Sequence, residues 1–149
     1  MSEGTFVDSS VVVKLFDNSV PAKQMAAKAR LAAERLTGGP TISPIVLGEV
    51  FHALTKPRRT NGVLLPPIAD RRGAAHAIGL LNGLNVVSIS PEIWAASLDY
   101  LTQFNRLGSW DALHLATAVA MRCETLLTWD TDFPNETIIS GVRVEHLPY

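Results

Sequence analysis

The sequence predicts an α/β fold, a three-layer α/β/α sandwich around a mainly parallel central sheet. Short apolar runs at residues 4–8, 41–42, 85–89, 124–128 and 142–146 are too brief for helices and suit buried strands. Longer stretches between most of them carry alanine, leucine and charged residues in helical patterns. Strand thus alternates with helix, as a parallel sheet requires, because parallel neighbours need crossover connections. Composition agrees. The chain has 149 residues, 47% hydrophobic and 18% charged, enough for one domain with a real core and too apolar for disorder.

The elements follow in order. The first strand, residues 4–8, leads into Val11-Val12-Val13. Pro21 opens a helix to about Leu36, with Lys23, Lys28, Arg30 and Arg35 solvated, and Gly38-Gly39-Pro40 ends it. After Thr41-Ile42, Ser43 is read as a cap and Pro44 as the first residue of a helix to about Thr55. Residues 56–67 are expected as a loop, and Pro67 as the start of a helix to about Leu81. A strand covers residues 85–89, and Ser90-Pro91 starts a helix to about Asn105. Gly108-Ser109 breaks and recaps the chain for a helix to about Arg122. Strands are expected at 124–128 and 142–146, with Ile138-Ile139 extended as well. No internal repeat or low-complexity tract divides the chain, so residues 1–149 are expected as a single domain.

Composition also narrows the function classes. The net charge of -1 advertises no global field for nucleic acid, although an acidic site would mask a local basic patch. The lone cysteine, Cys123, excludes an internal disulfide framework, suits a reducing cytoplasm and reads as a buried core thiol. No apolar run reaches the roughly 18 residues of a membrane span. The N-terminus lacks the pattern of a signal peptide.

Acidic residues at the ends and starts of apolar elements carry the chemistry. Asp8 ends the first strand, Glu49 interrupts an apolar helix, Asp111 opens another helix and Asp130 follows a late strand, with Asp132 close behind. In open parallel sheets ligands gather at the carboxyl ends of strands, where Asp8 and Asp130 would fall. Asp111 and Glu49 would join them from helix starts and flanks. Two carboxylates about 4 Å apart repel by roughly 4 kcal/mol at an effective dielectric near 20. Several together call for a cation, and oxygen ligands suit Mg²⁺ or Mn²⁺. The histidines His52, His76, His114 and His146 are scattered and there is no CxxC, so nothing competes for zinc. Singly, each acid has a plainer reading. Asp111 favours a helix start, Asp130 and Asp132 suit turns, and Glu49 could face solvent.

Four segments in this order carry a resemblance. They are Phe6-Val7-Asp8-Ser9-Ser10, Leu47-Gly48-Glu49-Val50, Trp110-Asp111-Ala112-Leu113-His114-Leu115-Ala116-Thr117-Ala118, and Leu127-Thr128-Trp129-Asp130-Thr131-Asp132-Phe133. The chain resembles PIN-domain ribonucleases and, more narrowly, the VapC-type toxins of toxin–antitoxin pairs. The resemblance implies a metal-dependent endoribonuclease leaving a 5′-phosphate and a 3′-hydroxyl. Asp8, Glu49, Asp111 and Asp130 would be its catalytic, metal-binding acids and Asp132 a less certain fifth. It also implies a cognate antitoxin and a homodimer. Ser9 and Thr128 would orient acids through their hydroxyls.

Other residues are read more plainly. Lys56, Arg58 and Arg59, extended by Arg71 and Arg72, form the best basic cluster for RNA phosphates, or a solvated face. Trp110 and Trp129 could stack a base or pack the core. His52, one turn from Glu49, and His114, one turn from Asp111, could face the cleft, but are expected as surface or packed histidines. Helices 21–36 and 67–81 leave apolar faces for a partner's groove or for ordinary core. Two rivals remain: a housekeeping RNA-processing nuclease and a non-enzymatic PIN-like binding module. An aspartyl-phosphate enzyme would normally want a second Asp two residues after Asp8, where Ser10 stands.

Overall fold

Phe6, Val7, Leu126 and Leu127 are all fully buried, with no alternation between faces. Strands so apolar on both sides need helices above and below them. They belong to β1 (Thr5–Val7) and β6 (Thr125–Thr128), neighbours at the centre of the sheet. The computed structural model describes residues 4–149, so residues 1–3 of the expected domain lie outside the description. Its main sheet has six strands in the order β5-β2-β1-β6-β8-β7. The other members are β2 (Thr41–Ile42), β5 (Asn85–Val86), β7 (Ile138–Ile139) and β8 (Val142–His146). All neighbours pair in parallel except β7 with β8. The expected α/β/α sandwich with a mainly parallel sheet is therefore what the chain adopts.

The strand order creates a switch point. From β1 the chain builds outward on one side through β2 and β5, then crosses back to place β6 on the other side of β1. Such reversals leave a crevice at the carboxyl ends of the two central strands.

Among the described residues six helices flank the sheet: α1 (Ser9–Val12), α2 (Pro21–Arg35), α3 (Pro44–Thr55), α4 (Arg71–Gly79), α5 (Pro91–Gln103) and α6 (Ser109–Ala120). A 3₁₀ turn over Val13–Leu15 follows α1. Seven consecutive residues of α6, from Ala112 to Ala118, are buried, as befits a helix covered all round. It packs on α5, β1 and β6. Ion pairs tie α2 to the far strand: Arg30 bonds both Glu34 and Glu145. No helix among the described residues is long and apolar enough to cross a membrane.

Four local expectations need correction. Residues 56–67 are not a plain loop but contain a hairpin of β3 (Arg58–Thr60) and β4 (Val63–Leu65). Its two turn residues, Asn61 and Gly62, both have positive φ, the conformation that Asn-Gly favours in tight hairpins. The following helix starts at Arg71 rather than Pro67, because the Asp70 carboxylate accepts the Gly73 N–H at 2.7 Å and caps it. The strand expected at 85–89 closes after Val86, although the Val87 N–H still bonds the Ile42 carbonyl. Ser43 holds the cap position of α3, yet its hydroxyl is buried and makes no capping bond. One close approach demands glycine: a Cβ on Gly39 would sit 2.5 Å from the Gly83 carbonyl oxygen.

Candidate functional site

β1 and β6 run side by side with Val7 opposite Leu127, so the residues after them emerge together. Asp8 follows β1, anchored by its N–H to the Leu127 carbonyl at 2.9 Å, and Asp130 lies two residues beyond β6. α6 delivers Asp111 from its first turn. α3 buries Val46, Val50 and Leu54 against the core, and Glu49 flanks that stripe. The four acids, separated by up to 122 residues of chain, line one cavity of about 390 Å³ with Ser9, Ser10, Lys14, Lys23 and Trp129.

Asp8 is only 3% exposed, so its carboxylate needs partners. Oδ2 accepts bonds from Ser10 Oγ and Thr128 Oγ1, both at 2.8 Å. The same two hydroxyls accept the Trp129 and Asp130 backbone N–H groups at 2.9 Å each. Ser10 and Thr128 thus stitch the residue after β1 to the residues after β6. The expected role of Thr128 holds, but Ser10 makes the bonds expected of Ser9. Both serines line the cavity, but it is the Ser10 hydroxyl that turns toward Asp8 and the end of β6, a choice of side set where the backbone enters α1.

His114 departs most from expectation. It is packed, fully buried against Phe6 at 5.6 Å between ring centroids, but it also faces the acids. Its Nε2 lies 2.5 Å from Glu49 Oε1 and 3.8 Å from Asp8 Oδ1. Burial opposes its charge. The Glu49 bond and the carboxylates of Asp8, Glu49 and Asp111 outweigh burial and hold its pKa above the ordinary imidazole value. Sequence reasoning had one usable signal: His114 is three residues after Asp111, so both lie on the same helix face.

The remaining charges are in conflict. Asp111 is pushed up to about 6, chiefly by burial and then by the Asp8 and Asp130 carboxylates, with His114 and the Gly108 backbone offsetting part. Ionising Asp111 therefore works against its neighbours, a conflict that a bound cation would relieve. Two groups of donors are compact enough for an ion: Asp8, Glu49 and His114, and Asp111, Asp130 and Asp132. In each, the ligand atoms lie within 4.8 Å of one another. Carboxylate oxygens dominate both sets, so the residues present fit a hard divalent ion. Asp132 does not line the cavity. It pairs with Arg106 at 3.2 Å, while its N–H bonds Asp130 Oδ1 at 2.9 Å. Cys123 stands apart at the amino end of β6, and burial pushes its thiol up to about 11.

The basic cluster expected for RNA does not line this cavity. Lys56, Arg58 and Arg59 lie on or beside the hairpin, and Arg58 pairs with Asp17 at 3.2 Å. Burial alone would raise Asp17, but bonds from Ser19 and Lys14 override it and hold the carboxyl at about 2. Arg71 lies over the Phe51 ring at 5.1 Å. The cations that do line the acid cavity are Lys14 and Lys23, at positions no local motif marks. Trp129 lines the cavity with its indole N–H tied to the Leu147 carbonyl at 2.6 Å. Trp110 is half exposed, meets Trp94 edge-on, and lines a second cavity of about 560 Å³ with Ile45, Glu49 and His52. Met25 and Leu36 remain exposed on and after α2, and Leu80 after α4.

Residues 5–136 match the family model of the PIN domain. No curated protein sequence matches the chain. Among solved structures, a toxin–antitoxin complex from Klebsiella pneumoniae is 25% identical, with TM-score 0.63. That match covers 94% of this chain and 95% of the other. VapC20 of Mycobacterium tuberculosis, a toxin that cleaves the sarcin–ricin loop, is 22% identical with TM-score 0.65. The coverage is 87% of this chain and 92% of that one. VapBC2 of Rickettsia felis, bound to a fragment of its promoter DNA, is 16% identical with TM-score 0.68. It covers 97% of this chain and 98% of its own. At these identities the last two speak for the fold alone.

Proposed function

We propose that this chain, which belongs to the PIN-domain family, is a Mg²⁺- or Mn²⁺-dependent endoribonuclease and the toxin of a toxin–antitoxin pair. One observation carries the reading: Asp8, Glu49, Asp111 and Asp130 line a single cavity at the switch point of the sheet, where burial and the neighbouring carboxylates make Asp111 harder to ionise. A binding module would have no use for so costly an arrangement. The toxin assignment draws on the likeness to the Klebsiella pneumoniae complex over nearly the whole of both chains. The reading includes a cognate antitoxin, a homodimer, a cytoplasmic location and a single PIN-like domain over residues 1–149.

In this reading Asp8, Glu49, Asp111 and Asp130 hold the metal, and Asp132 supports Asp130 from outside the cavity. A bound divalent ion supplies an acidified water for attack on phosphorus and positive charge against the charge that develops there. The chain's own residues prepare the place. Ser10 and Thr128 fix one oxygen of Asp8 and leave the other toward His114. His114 holds Glu49 from the buried side, so that carboxylate cannot swing away to solvent. Trp129 walls the cavity on the side of β6.

The test is transcriptome-wide mapping of new RNA 5′-phosphate ends after brief induction of the native chain and of Asp8→Asn. New ends confined to the native chain would support the endoribonuclease, and growth arrest with those cuts would support the toxin. Absence of new ends from folded native protein, in a host that carries an intact relative's target RNAs, would overturn the reading.

A further inference from the structure

Two ammonium groups line the acid cavity, and the fold treats them differently. Lys14 is committed: its Nζ lies 2.9 Å from Asp17 Oδ2, an acid that also holds Arg58. Lys23, half-buried in the first turns of α2, pairs with no carboxylate among the described residues. It is held instead by two aromatic rings. Its Nζ sits 5.4 Å from the centroid of Trp129 and 4.8 Å from that of Tyr149. The two rings meet edge to face at 5.9 Å and 87°, forming a bed for the cation. Trp129 is itself fixed by its bonds to Ser10 and Leu147.

This arrangement has a chemical consequence. A ring face attracts an ammonium through its quadrupole and uses none of its three N–H donors. The bed therefore fixes Lys23 in place while leaving its donors for an acceptor. The cavity presents four carboxylates, which would repel a polyanion, and Lys23 is the lining cation without an acid of its own. We propose that Lys23 binds a phosphate of the RNA backbone, seating it on the Trp129–Tyr149 side of the acid cluster. The proposal rests on the nuclease reading above and assigns that site a substrate contact. It replaces the hairpin cluster of Lys56, Arg58 and Arg59 as the main phosphate-binding feature.

Binding is measured in an Asp8→Asn background with Mg²⁺, so that RNA is held and not cut. The probe is a labelled pool of random-sequence single-stranded RNA, followed by fluorescence anisotropy across a salt series. Adding Lys23→Met is expected to weaken binding roughly tenfold at low salt, as for one charge-assisted hydrogen bond. It is also expected to flatten the slope of log K against log salt by about 0.7, the loss of one phosphate contact on a single strand. Lys23→Arg should retain both. Thermal melts of the three proteins separate this from a staple role, which would lower Tm and leave the salt slope alone. An Asp8→Asn parent that binds RNA, with a Lys23→Met variant of equal affinity and slope, overturns the Lys23 assignment and leaves the nuclease reading standing. A folded parent that binds no RNA at any salt overturns both.

Discussion

Replacing Asp111 by Asn should make the metal-free protein more stable, although it removes a proposed metal ligand. Burial and the neighbouring carboxylates raise its pKa from 3.8 to about 6. A tenfold weaker acid corresponds to about 1.4 kcal/mol, so ionising Asp111 in the folded state costs at most about 3 kcal/mol. Asp111 is partly exposed, and solvent screening discounts this to about 1–2 kcal/mol. The sign follows from proton counting. Below 3.8 both folded and unfolded chains hold the proton. Between 3.8 and about 6 the unfolded chain releases it first, so stability falls as pH rises across that window and levels above it. Asn carries no such penalty. The variant's advantage should therefore be near zero at about pH 4 and full at about pH 7.5, a gain of about 2–8 °C in Tm for a domain of this size. Differential scanning calorimetry in chelator at the two pH values measures it. Adding Mn²⁺ should reverse the order. Wild type gains about 2.7 kcal/mol at a hundredfold excess over Kd, and the variant gains less. If Asp111→Asn is no more stable than wild type at the higher pH in chelator, the repulsion argued for this cavity is wrong.

Three further perturbations test the surroundings of the acids. Thr128→Val keeps shape but removes the donor to Asp8 and the acceptor of the Asp130 N–H. Ribonuclease kcat/KM should fall about 10- to 100-fold, and an unchanged rate would remove Thr128 from the site. His114→Ala empties a fully buried position and leaves Glu49 and Asp8 without their imidazole partner. Urea unfolding should show a loss of about 2–5 kcal/mol, and a loss below about 1 kcal/mol would contradict the described packing. Asp17→Asn breaks the pairs to Lys14 and Arg58 around a carboxylate 6% exposed. The expected loss is about 1–3 kcal/mol at neutral pH. Because Asp17 is lowered from 3.8 to about 2, its contribution is present above 3.8 and disappears as pH falls through about 2. Unfolding curves of variant and wild type should therefore converge as that lower value is approached, and a gap that persists there would refute the assignment.

Much of this protein is legible in its sequence because the physics involved is local. Short runs with no alternation of polar and apolar residues, such as Phe6-Val7 and Leu126-Leu127, suit strands covered on both faces, so they announce a covered parallel sheet. Cap-proline pairs such as Ser90-Pro91 start helices because proline has no N–H to lose there. Acids that stand where apolar elements end, as Asp8 and Asp130 do, mark a binding edge without any knowledge of strand order. The hairpin at Asn61-Gly62 and the cap at Asp70 are equally local, but the proline-rich stretch around them masks their turn chemistry.

The rest depends on distances between residues remote in the chain. Strand order brings β6 beside β1 and so makes Thr128 a partner of Asp8 across 120 residues. The path of the backbone into α1 selects Ser10 over its neighbour Ser9. The approach of α6 to α3 sets His114 on Glu49, and a histidine's neighbours cannot be read from its own segment. The same applies to charge. Lys56, Arg58 and Arg59 form the denser cluster in sequence, yet Asp17 takes Arg58 while Lys23 lines the acid cavity. Sequence alone determined the kinds of element and the residues capable of chemistry, because propensity, capping and burial act within a few residues. Tertiary structure decided which of those residues meet and with what charge, because Coulomb and hydrogen-bond energies depend on separation in space.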